Sequence, residues 1–180
     1  LHEATSALER PRFLTQAPVP PWTEVDVFTA ADRAAWEDRP LHSLPPGAPW
    51  SPASADGERS VDLLEQLATL RKPIKSASQL VHGDLYGTVL FAGSAAPGIT
   101  DMAPYWRPAS WAAGVVVVDA LSWGEADDGL IDRWDALPEW PQMLLRALMF
   151  RLAVHALHPR STAAAFPGLA RTAAVVESVI

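Results

Sequence analysis

Seventeen of the 180 residues are proline, and their positions decide where this chain has room for a helix. Proline lacks a backbone donor, clashes with the preceding helical turn and biases the residue before it toward extended backbone. Four prolines, at 11, 18, 20 and 21, make residues 11–22 irregular. The segment 40–57, rich in Pro, Ser, Gly and Ala, reads as a surface loop. The windows left between prolines are the predicted helices. Residues 1–10 form one that stops at Pro11. Residues 29–37 form another, with Thr29 as N-cap and Asp32 at the capping-box position. In SVDLLEQLATL, residues 60–70, Ser60 is the N-cap. Val61, Leu64, Leu67 and Leu70 fall on one stripe before Pro73 ends the run. Further helices are predicted near 127–135, 139–157 and 161–180, punctuated by Pro138, Pro141 and Pro159.

Between the helical windows lie three short apolar runs, QLVH, TVLFA and GIT, separated by GDLYG and GSAAPG. They read as short strands with tight connections. The segment 108–123, PASWAAGVVVVDALSW, is open between two states. Its four consecutive valines favour a strand, while Pro108 at a first-turn position, the alanines and the length favour a buried helix. The expectation is a single α+β domain over 1–180, mainly helical, with a small β-hairpin patch that carries the most distinctive polar residues.

Composition narrows the function classes. Hydrophobic residues make up 49% of the chain, a globular value. A formal charge of -7 argues against a general grip on nucleic acid or on an anionic membrane. Cysteine is absent, which removes disulfides, thiolate metal sites and a thiol nucleophile. The longest apolar stretch, 143–157, carries Arg146 and Arg151 and is too short and too charged to span a bilayer. No basic-then-apolar signal pattern opens the chain, so a cytoplasmic location is expected. LHEATSALE begins as a helix already under way, with Leu1, Thr5 and Leu8 on one side. These residues are therefore expected to belong to a longer protein.

The chemistry concentrates in QLVHGDLYGTVLF, 79–91, and ITDMAPYWRP, 99–108. If 80–82 and 89–91 pair as a hairpin, the connecting loop starts with Asp84, and the short run 98–100 delivers Asp101 nearby. Phosphoryl transfer needs one carboxylate to orient the attacking hydroxyl and take its proton, and another to hold magnesium against the nucleotide phosphates. The plain alternative is that Asp84 and Asp101 are turn residues, a common use of Asp. His82, flanked by apolar residues, is expected to be buried and hydrogen-bonded, not a general base. Tyr105, Trp106 and Arg107 either line a cleft or plug it, with Arg107 pairing Asp84 or Asp101, and Trp106 is expected to be structural. Trp111 and Trp123 are expected in the core, and Asp119 on the polar side of a core helix. His155 and His158 stand three apart on a helix without an evident third metal ligand.

HGDLYGTVLF followed by ITDMAPYWRP resembles the catalytic core of the aminoglycoside phosphotransferase-like kinases, which have a protein-kinase-like fold. The pattern is most similar to an actinobacterial branch with HGDL-x-GNVLF and D-x-x-PYWRP, and WAAGVVVVDAL and LLRALMFRL continue the likeness. The resemblance implies the helical C-terminal lobe of such a kinase over most of 1–160. It implies an ATP-dependent phosphotransferase acting on a hydroxyl of a small molecule, with Mg2+ and ATP as cofactors. Asp84 then matches the catalytic carboxylate, His82 the histidine that supports the loop, and Asp101 the metal-binding aspartate. Thr88 falls where the family has its metal- and nucleotide-binding Asn, a departure, since a hydroxyl is a poorer magnesium ligand than a carboxamide oxygen. A nucleotide-binding N-terminal lobe is the implied partner, because these residues hold no G-x-G-x-x-G or G-x-x-x-x-G-K motif. A lobe by itself exposes an apolar face through which it could form a homodimer. Two other functions compete: a catalytically silent, pseudokinase-like binding module, and a hydrolase using the paired carboxylates.

Overall fold

A computed structural model describes residues 1–15, 24–36 and 55–180. The helices are α1 (His2–Thr5), α2 (Glu24–Trp36), α3 (Ala55–Ala68), α4 (Ala109–Trp123), α5 (Trp140–Leu157) and α6 (Phe166–Glu177). The strands are β1 (Gln79–His82), β2 (Val89–Leu90), β3 (Gly98–Ile99) and β4 (Pro104–Arg107). The chain is thus α+β. No helix among the described residues is long and apolar enough to cross a membrane.

Helix α5 is apolar all round because it is packed all round. Met143, Leu144, Leu145, Leu148, Met149 and Leu152 are fully buried, against α2, α3, α4 and α6. Pro141 sits in its first turn, where the missing N–H has no intrahelical acceptor to lose, and Pro159 follows its end. The ambiguous valine segment is helix α4. Valine costs a helix roughly 0.6 kcal/mol relative to alanine, while burying its side chain contributes about 1.5 kcal/mol or more. Val115, Val117 and Val118 are buried, so burial wins. Gly114 lets α4 and α5 approach: a β-carbon there would sit 3.1 Å from the Met143 carbonyl oxygen.

Several boundaries differ from expectation. Helix α2 starts at Glu24, so Thr29 lies inside it and is not a cap. Helix α3 starts at Ala55, which puts Ser60 in its interior with the hydroxyl donating to the Asp56 carbonyl at 2.9 Å. Most of the loop predicted at 40–57 lies outside the described residues, and its last residues, 55–57, are already helical. Residues 128–130 and 132–134 are two short 3₁₀ turns, not a helix. The last helix begins only at Phe166, and the first spans only His2–Thr5. There it covers the side of β1: Thr5 donates to the Leu80 carbonyl at 2.6 Å, and the His82 N–H donates to His2 Nε2 at 3.2 Å.

Helix α6 buries Phe166, Leu169, Ala173 and Val176, and its first turn lies directly on the end of α4. A β-carbon on Gly168 would stand 2.1 Å from the Ser122 carbonyl oxygen, so only glycine fits. Gly168→Ala is expected to cost at least about 1–3 kcal/mol of stability, read as a lower urea midpoint with an unchanged slope.

The linker before β1 is pinned by α5. Glu139 accepts from the backbone of Lys75 and Ser76 at 2.7 and 2.8 Å, and Gln142 accepts from the Lys72 N–H at 2.7 Å. The Ser76 hydroxyl, then the backbone donors, hold the Glu139 carboxyl below its ordinary pKa. A depressed carboxyl adds stability that is complete above its unfolded pKa and disappears as pH falls through the folded one. Glu139→Gln is therefore expected to narrow the gap in urea midpoint between pH 7 and pH 3 relative to wild type.

The expected hairpin does not form. β1 pairs antiparallel with β4, Val81 opposite Tyr105 and His82 opposite Pro104, while β2 pairs with β3. The reason is burial. Val81 and His82 are each only 1% exposed and need a partner that faces the core. β4 supplies one, because Tyr105 packs edge-on against Trp111 and Phe150. The β2 segment does not, since Leu90 is 58% and Phe91 79% exposed.

Candidate functional site

The loop 83–88 leaves the end of β1, where His82 stands opposite Pro104 at the start of β4. Gly83 donates to the Ala103 carbonyl at 2.9 Å. A side chain there would collide with the Tyr105 ring, 2.4 Å from a β-carbon, so the glycine lets the loop lie flat on the aromatic cluster. His82 then fastens both acid-bearing segments. Its Nδ1 accepts the Asp84 N–H at 3.0 Å, and its Nε2 meets the Asp101 carbonyl at 2.6 Å. A ring that accepts at Nδ1 carries its proton on Nε2, so the neutral imidazole donates to Asp101. One buried ring thereby joins the backbones of the two acids.

Thr88 closes the loop. Its hydroxyl donates to the Asp84 carbonyl at 2.8 Å, and its own carbonyl accepts from the Thr100 N–H at 3.0 Å, tying the loop to β3.

The Asp84 carboxylate is held from below. Its Oδ1 accepts from Arg151 Nη2 at 2.6 Å, with half of the side chain exposed. Arg151 rises from the buried face of α5. Its guanidinium forks onto Asp119 of α4, Nε to Oδ1 at 2.7 Å and Nη2 to Oδ2 at 2.5 Å, and the Asp119 side chain is 3% exposed. Burial opposes the Arg151 charge, but Asp119 and then Asp84 outweigh it and hold the guanidinium above its ordinary pKa. Burial pushes the Asp119 carboxyl up, with Arg151 pulling it back. A charge at the loop is thus anchored in the middle of the helical core.

Asp84 and Asp101 line one cavity of about 460 Å³, together with Tyr105, Trp106, Arg107 and Arg151. Asp101 is exposed, its Oδ1 accepting the Met102 N–H at 2.8 Å. Thr88 is not on that wall. Arg107 pairs with neither loop acid. It forks onto Asp32 of α2, Nε to Oδ1 at 2.8 Å, and lies over the Trp36 ring at 4.8 Å. Burial, then the nearby Asp32, pushes the Tyr105 hydroxyl above its ordinary pKa, so it stays protonated. Trp106 lines the cavity, Trp111 is fully buried as expected, and Trp123 is 43% exposed and outside the core. His155 is buried against Phe166, and among the described residues no group of three His, Cys, Asp or Glu side chains is arranged to hold a metal.

Asp84 and Asp101 are hard oxygen donors. Magnesium is commonly held by one or two carboxylates, with water and phosphate oxygens completing its shell; Asp101, exposed on the cavity wall, is the donor that fits it, since Asp84 Oδ1 is taken by Arg151. Arg151, Asp119 and Asp32 are the members of the site that the sequence did not nominate. The available signal was an Asp and an Arg of opposite sign, each embedded in an otherwise apolar helix, because buried charges are paired.

No protein-family model, no curated protein and no solved structure matches the chain.

Proposed function

We propose that the chain is the catalytic lobe of an ATP-dependent phosphotransferase of the aminoglycoside phosphotransferase-like kind, acting on a hydroxyl of a small molecule. The observation that carries this reading is the pair of carboxylates, Asp84 and Asp101, on the wall of one cavity with their backbones joined through His82. Asp84 orients the attacking hydroxyl and accepts its proton, and Arg151 keeps that carboxylate in place. Asp101 is the residue that would hold magnesium, which when bound neutralises charge on the phosphates. Leu90 of β2, Phe91 just after it and Ile99 of β3 stand exposed, an apolar surface suited to a nucleotide base or to the lobe that covers it.

The test is magnesium-dependent ATP turnover by the protein as its gene encodes it. Asp84→Ala is expected to lower turnover by about 10²–10⁴-fold in a protein that still folds, and equal turnover by both proteins would refute the proposal.

A second reading, a silent nucleotide-binding module, is favoured by one observation. The Thr88 hydroxyl is committed to the Asp84 carbonyl and lies off the cavity wall, so it does not fill the role of the family's Asn. Nucleotide binding without turnover in the wild type would favour this reading.

A further inference from the structure

We infer that the Tyr105 hydroxyl is a ligand-binding donor, which holds an acceptor oxygen next to the hydroxyl that Asp84 orients. The ligand is thus an alcohol with a second oxygen on the neighbouring carbon, as in a 1,2-diol. The part given to Asp84 rests on the phosphotransferase reading, whereas the donor rests on the cavity itself.

Position comes first. Tyr105 lines the same cavity as Asp84. Its ring is clamped edge-on by Trp111 and Phe150, with centroids 5.4 and 5.5 Å away. The Cδ2–Cε2 edge lies against Gly83, where it would collide with any β-carbon. Cε2 adjoins the carbon that bears the hydroxyl, and Gly83 adjoins Asp84 in the chain. A donor on a fixed ring therefore stands beside the acid that receives the reacting hydroxyl.

The donor has no partner in the protein. Among the described residues the Tyr105 hydroxyl makes no hydrogen bond. Burial first, then Asp32 and, against an opposing pull from Arg151, Asp84 keep it protonated, so it is a neutral donor. Those three charged side chains all line the cavity, which places the hydroxyl at the wall. A tyrosine hydroxyl in such surroundings ordinarily finds an acceptor. The indole N–H groups of Trp36 and Trp111 also lack one, but they are sealed from solvent, and the Tyr105 oxygen is not. A rigid, unpartnered donor open to a cavity fits an acceptor on a ligand. It also discriminates, because a ligand without that oxygen leaves the donor unpaired. Phe150 and Trp106 supply apolar wall for the carbon body, and about 460 Å³ holds a substituted ring.

The experiment is an NMR titration of the chain labelled with ¹³Cζ-tyrosine. Two signals are expected, because Tyr86 and Tyr105 are the two tyrosines of the sequence, and Tyr105→Phe assigns them. The probes are cis-1,2-cyclohexanediol and cyclohexanol. The diol is expected to shift the Tyr105 signal saturably, with a Kd on the order of 10 mM for so small a ligand. The Tyr86 signal, off the cavity wall, is expected to stay in place. In Tyr105→Phe, followed at the Trp106 indole, the ratio of diol to cyclohexanol affinity is expected to fall by about two- to tenfold, the effect of one neutral hydrogen bond. Taking the ratio cancels the difference in apolar surface between the probes. The urea midpoint of the variant is expected to equal or exceed that of the wild type, since no bond within the protein is lost; a merely structural hydroxyl would lower it. An unmoved Tyr105 signal, an unchanged affinity ratio or a lowered midpoint would overturn the proposal. These readouts need no turnover. If the ratio is unchanged while Asp84-dependent ATP turnover persists, only the role of Tyr105 is wrong. If the ratio falls while turnover is absent, only the phosphotransferase reading is wrong.

Discussion

Arg151→Met is expected to cost the protein about 3–5 kcal/mol, because it leaves the Asp119 carboxylate buried in the core without its counter-charge. Asp119 is 2% exposed, and both of its oxygens are engaged by that one guanidinium. A domain of this size has about 5–15 kcal/mol in total, so the single change removes a large part of it. The double variant Arg151→Met/Asp119→Leu removes both charges and keeps the volume filled. It is expected to recover most of the loss, since apolar replacement of a whole buried ion pair is often neutral or stabilising. Urea unfolding of wild type, both single variants and the double variant checks this, with the double expected above either single. The same set separates folding from function. The refolded double variant still lacks the bond to Asp84 Oδ1, so its ATP turnover is expected to stay low. Recovery of both stability and turnover would mean that Arg151 serves the core alone.

Trp111→Ala is expected to have an effect of similar size, about 3–5 kcal/mol from the cavity it leaves. The ring is fully buried and meets Trp36, Tyr105 and Phe150 edge-on, with centroids 6.1, 5.4 and 5.5 Å away. Such pairs add about 0.5–1.5 kcal/mol each beyond the buried area. The consequence reaches the site, because the indole passes 3.3 Å from the position of a β-carbon on Gly83. Losing it removes the floor on which the loop rests. Trp111→Phe is expected to cost less, in part because the indole N–H is buried with no hydrogen-bond partner among the described residues. Unfolding midpoints rank the three proteins, and amide exchange at Gly83 and Asp84 is expected to speed up in the alanine variant only.

What the sequence revealed of this molecule follows how local each interaction is. The stripe Leu64–Leu67 and the apolar run of α5 are legible because helical burial repeats over a few residues. The His82–Asp84 contact spans two positions, and the short apolar runs around it mark the strands. The pairing of those strands was misjudged because proximity in the chain favours β1 with β2. The aromatic burial that decides for β4 depends on Trp111 and Phe150, far along the chain. The ion pairs were hidden for the same reason: 67 residues separate Arg151 from Asp84, and 75 separate Arg107 from Asp32. The spacing of Thr29 and Asp32 matches a capping box, but α2 starts at Glu24 and places both residues inside the helix. Asp119 and Arg151 were each visible as a charge in an apolar helix, but nothing in a one-dimensional reading joins them.

In the proposed function Asp101 holds a divalent cation on the same cavity wall as Asp84. Manganese, a paramagnetic stand-in for magnesium, tests this directly when titrated into the ¹⁵N-labelled chain. Selective broadening of amides in 83–88 and 100–103 is expected at low manganese, abolished in Asp101→Asn. Broadening confined to the acidic turns around Asp127, Asp128 and Asp132, or none at the loop, would contradict it.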